Sequence, residues 1–225
     1  MILKELHMKL CQERTMNKLI LAFMMLFSTA ASSHVISILD TFLDMPVPEG
    51  YCIVDSNTDF YRFNQTALGN SVKILYMASD CKSVEALNSG KEKTLSHYIA
   101  FEQIGIKNRF IRFTFGDLFY VNMIRAFRLK DLSKYEERVN EKLEGMNITL
   151  TNLRSELVSS DDRSLTYRAS ATLNGFNQNV PVELNAVTFL FRQLPVAIHT
   201  YDCNPDEHSY KKSQTEISEL KQRLP

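Results

Sequence analysis

The sequence predicts an α+β fold: one mainly antiparallel sheet with helices packed on it, a C-terminal β-meander and a closing helix. Three observations carry that reading. Short strand-like and helix-like stretches alternate as far as Gly145. From Ile148 to Tyr201 the pattern changes to consecutive runs of period two. A last apolar stripe, Tyr210, Ile217, Leu220 and Leu224, then reads as an amphipathic helix. Strands grouped apart from helices argue for α+β.

The elements follow in order. Val35 to Leu43 is an apolar lead-in helix or strand. Met45 to Gly50 is a turn-rich break with two prolines and a glycine. Tyr51 to Val54 is a short strand. Asp55 to Asp59 is polar and suits a helix cap. Phe60, Phe63, Ala67 and Leu68 form a helical stripe that Gly69-Asn70 ends. Val72 to Met77 reads as a buried strand, Asp80 as the cap of a short helix, and Tyr98 to Ile104 as another strand. Thr114 is the expected N-cap of a helix to Phe127, with Phe115, Leu118, Phe119 and Met123 as its apolar stripe. A second helix spans Leu132 to Leu143.

In the last third, Ile148 to Leu153 alternates, and Leu165 to Leu173 alternates more cleanly with odd positions inward. Asn174-Gly175 signals a hairpin and Val180 to Phe191 the return strand. Arg192 to Pro195 is a turn, Val196 to Tyr201 a further strand, and Asn204-Pro205-Asp206 starts the closing helix.

Residues 16–33 read as a secretory signal peptide. Lys18 is the positive head, Leu19 to Phe27 an apolar run of nine, and Ser28 to Ser33 a small-residue cleavage region. Residues 1–15 are expected to be a non-native N-terminal extension before the true start at Met16, and 35–225 a single α+β domain. The expected localisation is periplasmic or secreted. No later segment approaches the ~18 consecutive apolar residues of a transmembrane helix.

The full chain holds 26 bases and 26 acids. Without residues 1–33 it loses four bases and two acids, which leaves 22 and 24 and a net charge of −2. That is not the footprint of a general nucleic-acid binder. With Cys11 in the leader, the mature chain keeps Cys52, Cys81 and Cys203. An odd number implies one disulfide and one spare thiol, or an intermolecular bridge. Cys52 with Cys81 is the preferred pair, each at the edge of an element, and Cys203 the free thiol. Pairing of either with Cys203 is the alternative.

Catalytic signals are weak. No G-x-S-x-G elbow, C-x-x-C pair or calcium-loop motif occurs, so neither catalytic residues, a metal nor a cofactor is expected. His97 reads as a surface residue. His199, near Tyr201, Asp202 and Cys203, invites a thiol-enzyme reading. In a strand, however, His199 and Cys203 stand about 13 Å apart. Glu136, Glu137, Glu141 and Glu144 read as a solvated, ion-paired helix face.

The best interaction signal spans Lys107 to Lys130. It holds Lys107, Arg109, Arg112, Arg125 and Arg128, opposed by Asp117, with Phe110, Phe113, Phe115, Phe119, Tyr120 and Phe127 interleaved. This composition suits an anionic membrane surface or an acidic envelope protein. The competing reading puts the aromatics in the core with the bases flanking it.

Gly50-Tyr51-Cys52 followed by Asp80-Cys81 resembles a pattern of small bacterial exported proteins of unknown function. The resemblance implies a shared Cys52–Cys81 framework and no activity. The meander and closing helix are also similar in outline to the PsbP-like fold, an analogy that does not fix function. The expected function is a non-catalytic binding or interaction module of the cell envelope. The alternatives are an envelope hydrolase or thiol-dependent enzyme using Cys203 and His199, or a lipid or small-ligand carrier.

Overall fold

The described residues build a seven-stranded antiparallel sheet, and the ends of its strands position the candidate surface described below. The computed structural model describes residues 33–38, 41–106, 109–128, 132–143, 148–175 and 178–224. The expected extension, and all of the leader but Ser33, lie outside the described residues.

A two-stranded hairpin, β1 (Ser33–Ile38) and β2 (Thr41–Pro46), comes first. It replaces the single lead-in element that the apolar run suggested. The main sheet has the order β3-β4-β5-β9-β8-β7-β6. Its strands are β3 (Tyr51–Ile53), β4 (Val72–Asp80), β5 (His97–Ile104), β6 (Ile148–Ser160), β7 (Ser164–Gly175), β8 (Gln178–Phe191) and β9 (Leu194–Cys203). The last four form the meander that the period-two runs predict, and the fold is α+β.

Local chemistry sets the helix ends. Thr58 caps α1 (Asp59–Leu68) by accepting from the Tyr61 amide, and Gly69, at φ 69°, ends it in a conformation suited to glycine. Asp80 caps α2 (Cys81–Asn88) through the Ser83 amide, as expected. Asp206 and Ser209 form a reciprocal capping box that starts α5 (Glu207–Arg223). Between them lie α3 (Asp117–Arg128) and α4 (Leu132–Leu143).

Side chains alternate across the sheet. On one face, Ile99, Phe101, Val196 and Ile198 pack with Ile217 and Leu220 of α5 and with Ile36, Ile38 and Met45 of the hairpin. On the other face, Met77 and Tyr98 pack with Val84 and Leu87 of α2. There Val121 of α3 also meets Leu165, Tyr167 and Ala186. Among the described residues no helix is long and apolar enough to cross a membrane.

The largest departure from the sequence reading is at α3. Thr114 does not cap it. Gly116, at φ 84°, turns the chain and the helix starts at Asp117. Phe115 is thereby left outside the helix, and the apolar stripe on the core becomes Tyr120 and Val121.

Candidate interaction surface

Antiparallel register brings several connections to one end of the sheet. The pairs Ser160↔Leu165, Ser164↔Phe189, Phe191↔Leu194 and Gln103↔Val196 set the β6–β7 turn, the β8–β9 turn and the end of β5 on the same side. Arg192 and Gln193 form the β8–β9 turn with φ of 49° and 67°, the left-handed pair that a tight hairpin of primed type requires.

The segment from Arg109 to Gly116 lies against this turn. The Phe113 amide donates to the Gln193 carbonyl at 2.6 Å. Arg112 Nη1 donates to the Arg192 carbonyl at 3.2 Å. Further along, Arg125 Nη2 of α3 donates to Ser160 Oγ at 2.6 Å, which fixes the helix beside the β6–β7 turn.

These anchors sort the aromatic residues. Phe113 and Tyr120 are buried, and Tyr120 shares a 2.7 Å hydrogen bond with Thr188. Phe115, Leu118 and Phe119 face solvent, 74%, 56% and 56% exposed, with Ile111 at 45%. The Phe115 and Phe119 rings touch each other at 5.5 Å and rest on Phe113 at 5.7 and 6.0 Å. A buried ring thus props up two exposed ones. A contiguous set of exposed apolar side chains is the kind of surface that interaction sites use. Exposed Arg112 and Arg192 stand at the turn on which Phe113 is anchored, and the same segment and helix also carry exposed Arg109 and half-buried Arg125. The guanidinium of Arg192 lies over the Phe191 ring at 5.4 Å.

Of the sequence candidates, Arg112 lies at the β8–β9 turn next to Phe113, Arg109 is exposed earlier in the same segment, and Arg125 lies about two turns along α3 beside Ser160. Lys107 lies outside the described residues, and Arg128 ends α3 with its side chain outside those described. Arg192 and the outward turn of Phe119 were missed. Arg192 was read only as part of a turn. The Phe115-Gly116 step was the available sign that the helix could not reach back to Thr114.

The other candidates form two separate polar clusters, one on each face. His97, expected at the surface, is instead held between carboxylates. Its Nδ1 lies 2.5 Å from Asp202 Oδ1 and its Nε2 3.0 Å from Glu216 Oε2. Asp202 also accepts from Ser213 Oγ at 2.8 Å, and Glu216 accepts from the Tyr51 hydroxyl. Burial pulls the His97 pKa down, but the bonds and charges of Asp202 and Glu216 outweigh it and raise the ring to about 9. The ring is therefore an imidazolium that donates twice. Burial, then Glu216, pushes the Tyr51 phenol up.

On the opposite face His199 sits in mid-strand. Its Nδ1 is 2.8 Å from Glu102 Oε2, an ion-pair distance without the alignment of a hydrogen bond. Its Nε2 pairs with the Tyr167 hydroxyl at 3.0 Å.

Cys52 and Cys81 are joined in a disulfide and Cys203 is free. Cys203 lines an open depression of about 420 Å³ with Glu92, Lys93, Leu95 and Ser96. Burial, then the Asp202 charge, raises its thiol pKa, the opposite of an activated nucleophile. His199 is engaged with Glu102 and Tyr167, so the structure does not bring the two together. Among the described residues no group of three or more His, Cys, Asp or Glu is placed to hold a metal ion.

Neither the protein-family models nor the curated proteins contain a match to this chain. Among solved structures, the chain is similar to the solution structure of cyanobacterial PsbP (CyanoP) from Synechocystis sp. PCC 6803. The identity is 11% and the TM-score 0.43, over 88% of this chain and 95% of that one. A likeness at that level assigns neither family nor function.

Proposed function

We propose that this chain is an exported, non-catalytic binding module of the cell envelope. Its working surface is the arginine-flanked aromatic patch at one end of the sheet. The observation that carries the reading is the outward set of Phe115, Leu118 and Phe119 beside Arg112 and Arg192. Export is supported by the leader pattern of residues 16–33 and by the Cys52–Cys81 bond, which suits an oxidising compartment. Exposing three large apolar side chains costs solubility unless a partner covers them.

The test is site-specific photocrosslinking in the producing cell. A photoreactive phenylalanine at position 115 is expected to yield an adduct, and one at exposed Glu85 on α2 none. The adduct is expected to persist in Cys203→Ala, whereas a thiol enzyme would lose its activity. The reading fails if position 115 captures nothing more than position 85 does.

A further inference from the structure

Building on that reading, we infer that the partner of this end is an anionic lipid surface, met by the ends of the strands rather than by a face of the sheet. The apolar element is a set of prongs, not a groove. Phe115 and Phe119 project from a turn and a first helical turn, propped from beneath by buried Phe113. A groove would accept a partner's helix or strand. Prongs of this kind suit insertion among lipid chains just below the headgroups.

The charge around the prongs fits the same occupant, and it comes from more of the chain than the segment around α3. The register places Arg163 of the β6–β7 turn and Arg192 of the β8–β9 turn at this end. It also receives the C-terminal end of α5, where Lys221 Nζ reaches Ser164 Oγ at 2.7 Å. Cationic side chains from three separate elements thus lie at the same end of the sheet as Arg112, with Lys221 on the α5 face and Arg112 on the α3 side. Of the acids at this end, Asp162 is exposed beside Arg163 and offsets one of these charges, whereas Asp161 and Asp117 are engaged locally. Asp161 accepts from the amides of Arg163 at 2.7 Å and Ser164 at 2.6 Å, which turns its carboxylate into its own loop. Asp117 sits in the first turn of α3, where a carboxylate compensates the helix dipole. A chain expected to be slightly acidic overall therefore presents a cationic, apolar-tipped end. Long cationic side chains can follow headgroups while the rings go deeper.

The experiment is vesicle co-sedimentation of the protein purified from the exporting cell. The vesicles are phosphatidylcholine mixed with phosphatidylglycerol, and phosphatidylcholine alone. Binding to the mixed vesicles and weakening with salt are expected. Arg112→Gln, Arg163→Gln and Arg192→Gln are each expected to weaken binding roughly fivefold, the effect of one cation near an anionic surface. Phe115→Ser with Phe119→Ser is expected to weaken it about tenfold or more. All five side chains are exposed, so each variant is expected to stay folded, with at most a small drop in melting temperature where Arg112 loses its bond to the Arg192 carbonyl or the rings lose Phe113. The melting temperature of each variant controls for misfolding.

Equal binding to both vesicle types, or variants that bind like the parent, would overturn the lipid assignment. The two readings separate cleanly. A protein adduct from position 115 without vesicle binding ends the lipid inference and leaves the binding module standing. No adduct and no vesicle binding ends both.

Discussion

His97 is the residue whose environment departs furthest from its sequence context. Both ring nitrogens face a carboxylate, and the side chain is only 16% exposed. The ring's pKa rises from 6.5 to about 9, so the folded chain holds a proton that the unfolded chain releases. The resulting stabilisation is complete below pH 6.5 and is lost as pH rises through about 9. A shift of this size corresponds to on the order of 3 kcal/mol. The melting temperature is therefore expected to fall across that window, at roughly 2–4 °C per kcal/mol for a chain of this length. In His97→Gln the fall over the same window should be absent, because the titrating ring is gone. A thermal-shift series in both proteins decides it, and an equally steep slope in the variant would remove His97 as the cause.

At the scale of elements, the edge strand β6 shows why a charged helix face need not be mere solvated surface. Asn140 of α4 donates from Nδ2 to the Leu150 carbonyl at 2.9 Å and accepts from the Leu150 amide at 2.6 Å. Glu136 accepts from the Leu153 amide at 3.0 Å. The helix thus occupies backbone groups that an edge strand otherwise leaves open to another chain. Asn140→Ala removes two hydrogen bonds, each contributing about 1 kcal/mol, for a loss on the order of 2 kcal/mol. Hydrogen exchange should quicken at the Leu150 amide and stay unchanged at Ile198 in the central strand β9. Unchanged protection at Leu150 would show that α4 does not guard the edge. The sequence made much of this architecture legible, because the meander and the closing helix follow from periodicity alone. The role of Glu136 was not legible, since i,i+4 charge spacing looks the same on a solvated face and on one that reaches across to a strand. Half of β6 was also missed, because Arg154 to Ser160 is mostly polar and carries no core-facing alternation. The basic and aromatic residues around α3 were legible as a group. Which rings point outward was not, since that depends on the turn at Gly116 and on the anchoring of Phe113 to Gln193.

On the scale of the molecule the two ends of the sheet differ in kind. One end carries the arginines and exposed rings. The other holds the His97 cluster and the disulfide, since Tyr51 pairs with Asp80, Cys52 with Ser79, and His97 with Asp202. There β3 is a three-residue edge strand, yet it supplies the Tyr51 hydroxyl that Glu216 accepts. So short a strand holds few ladder bonds, and the Cys52–Cys81 bond fastens it to the first turn of α2. Closing a loop with a sequence separation of 29 contributes about 3–4 kcal/mol by chain-entropy estimates. Reduction is therefore expected to lower the melting temperature by roughly 6–16 °C, at 2–4 °C per kcal/mol. The double variant Cys52→Ala, Cys81→Ala should melt at the reduced value and ignore reductant, with Cys203 still present in both. Because the bond lies at the opposite end from Phe115 and Phe119, the folded variant should bind anionic vesicles as the parent does. A variant that is destabilised but keeps its binding fits two ends with separate duties. A melting temperature indifferent to reductant in the parent would mean that β3 is held by its contacts with β4 and Glu216 alone.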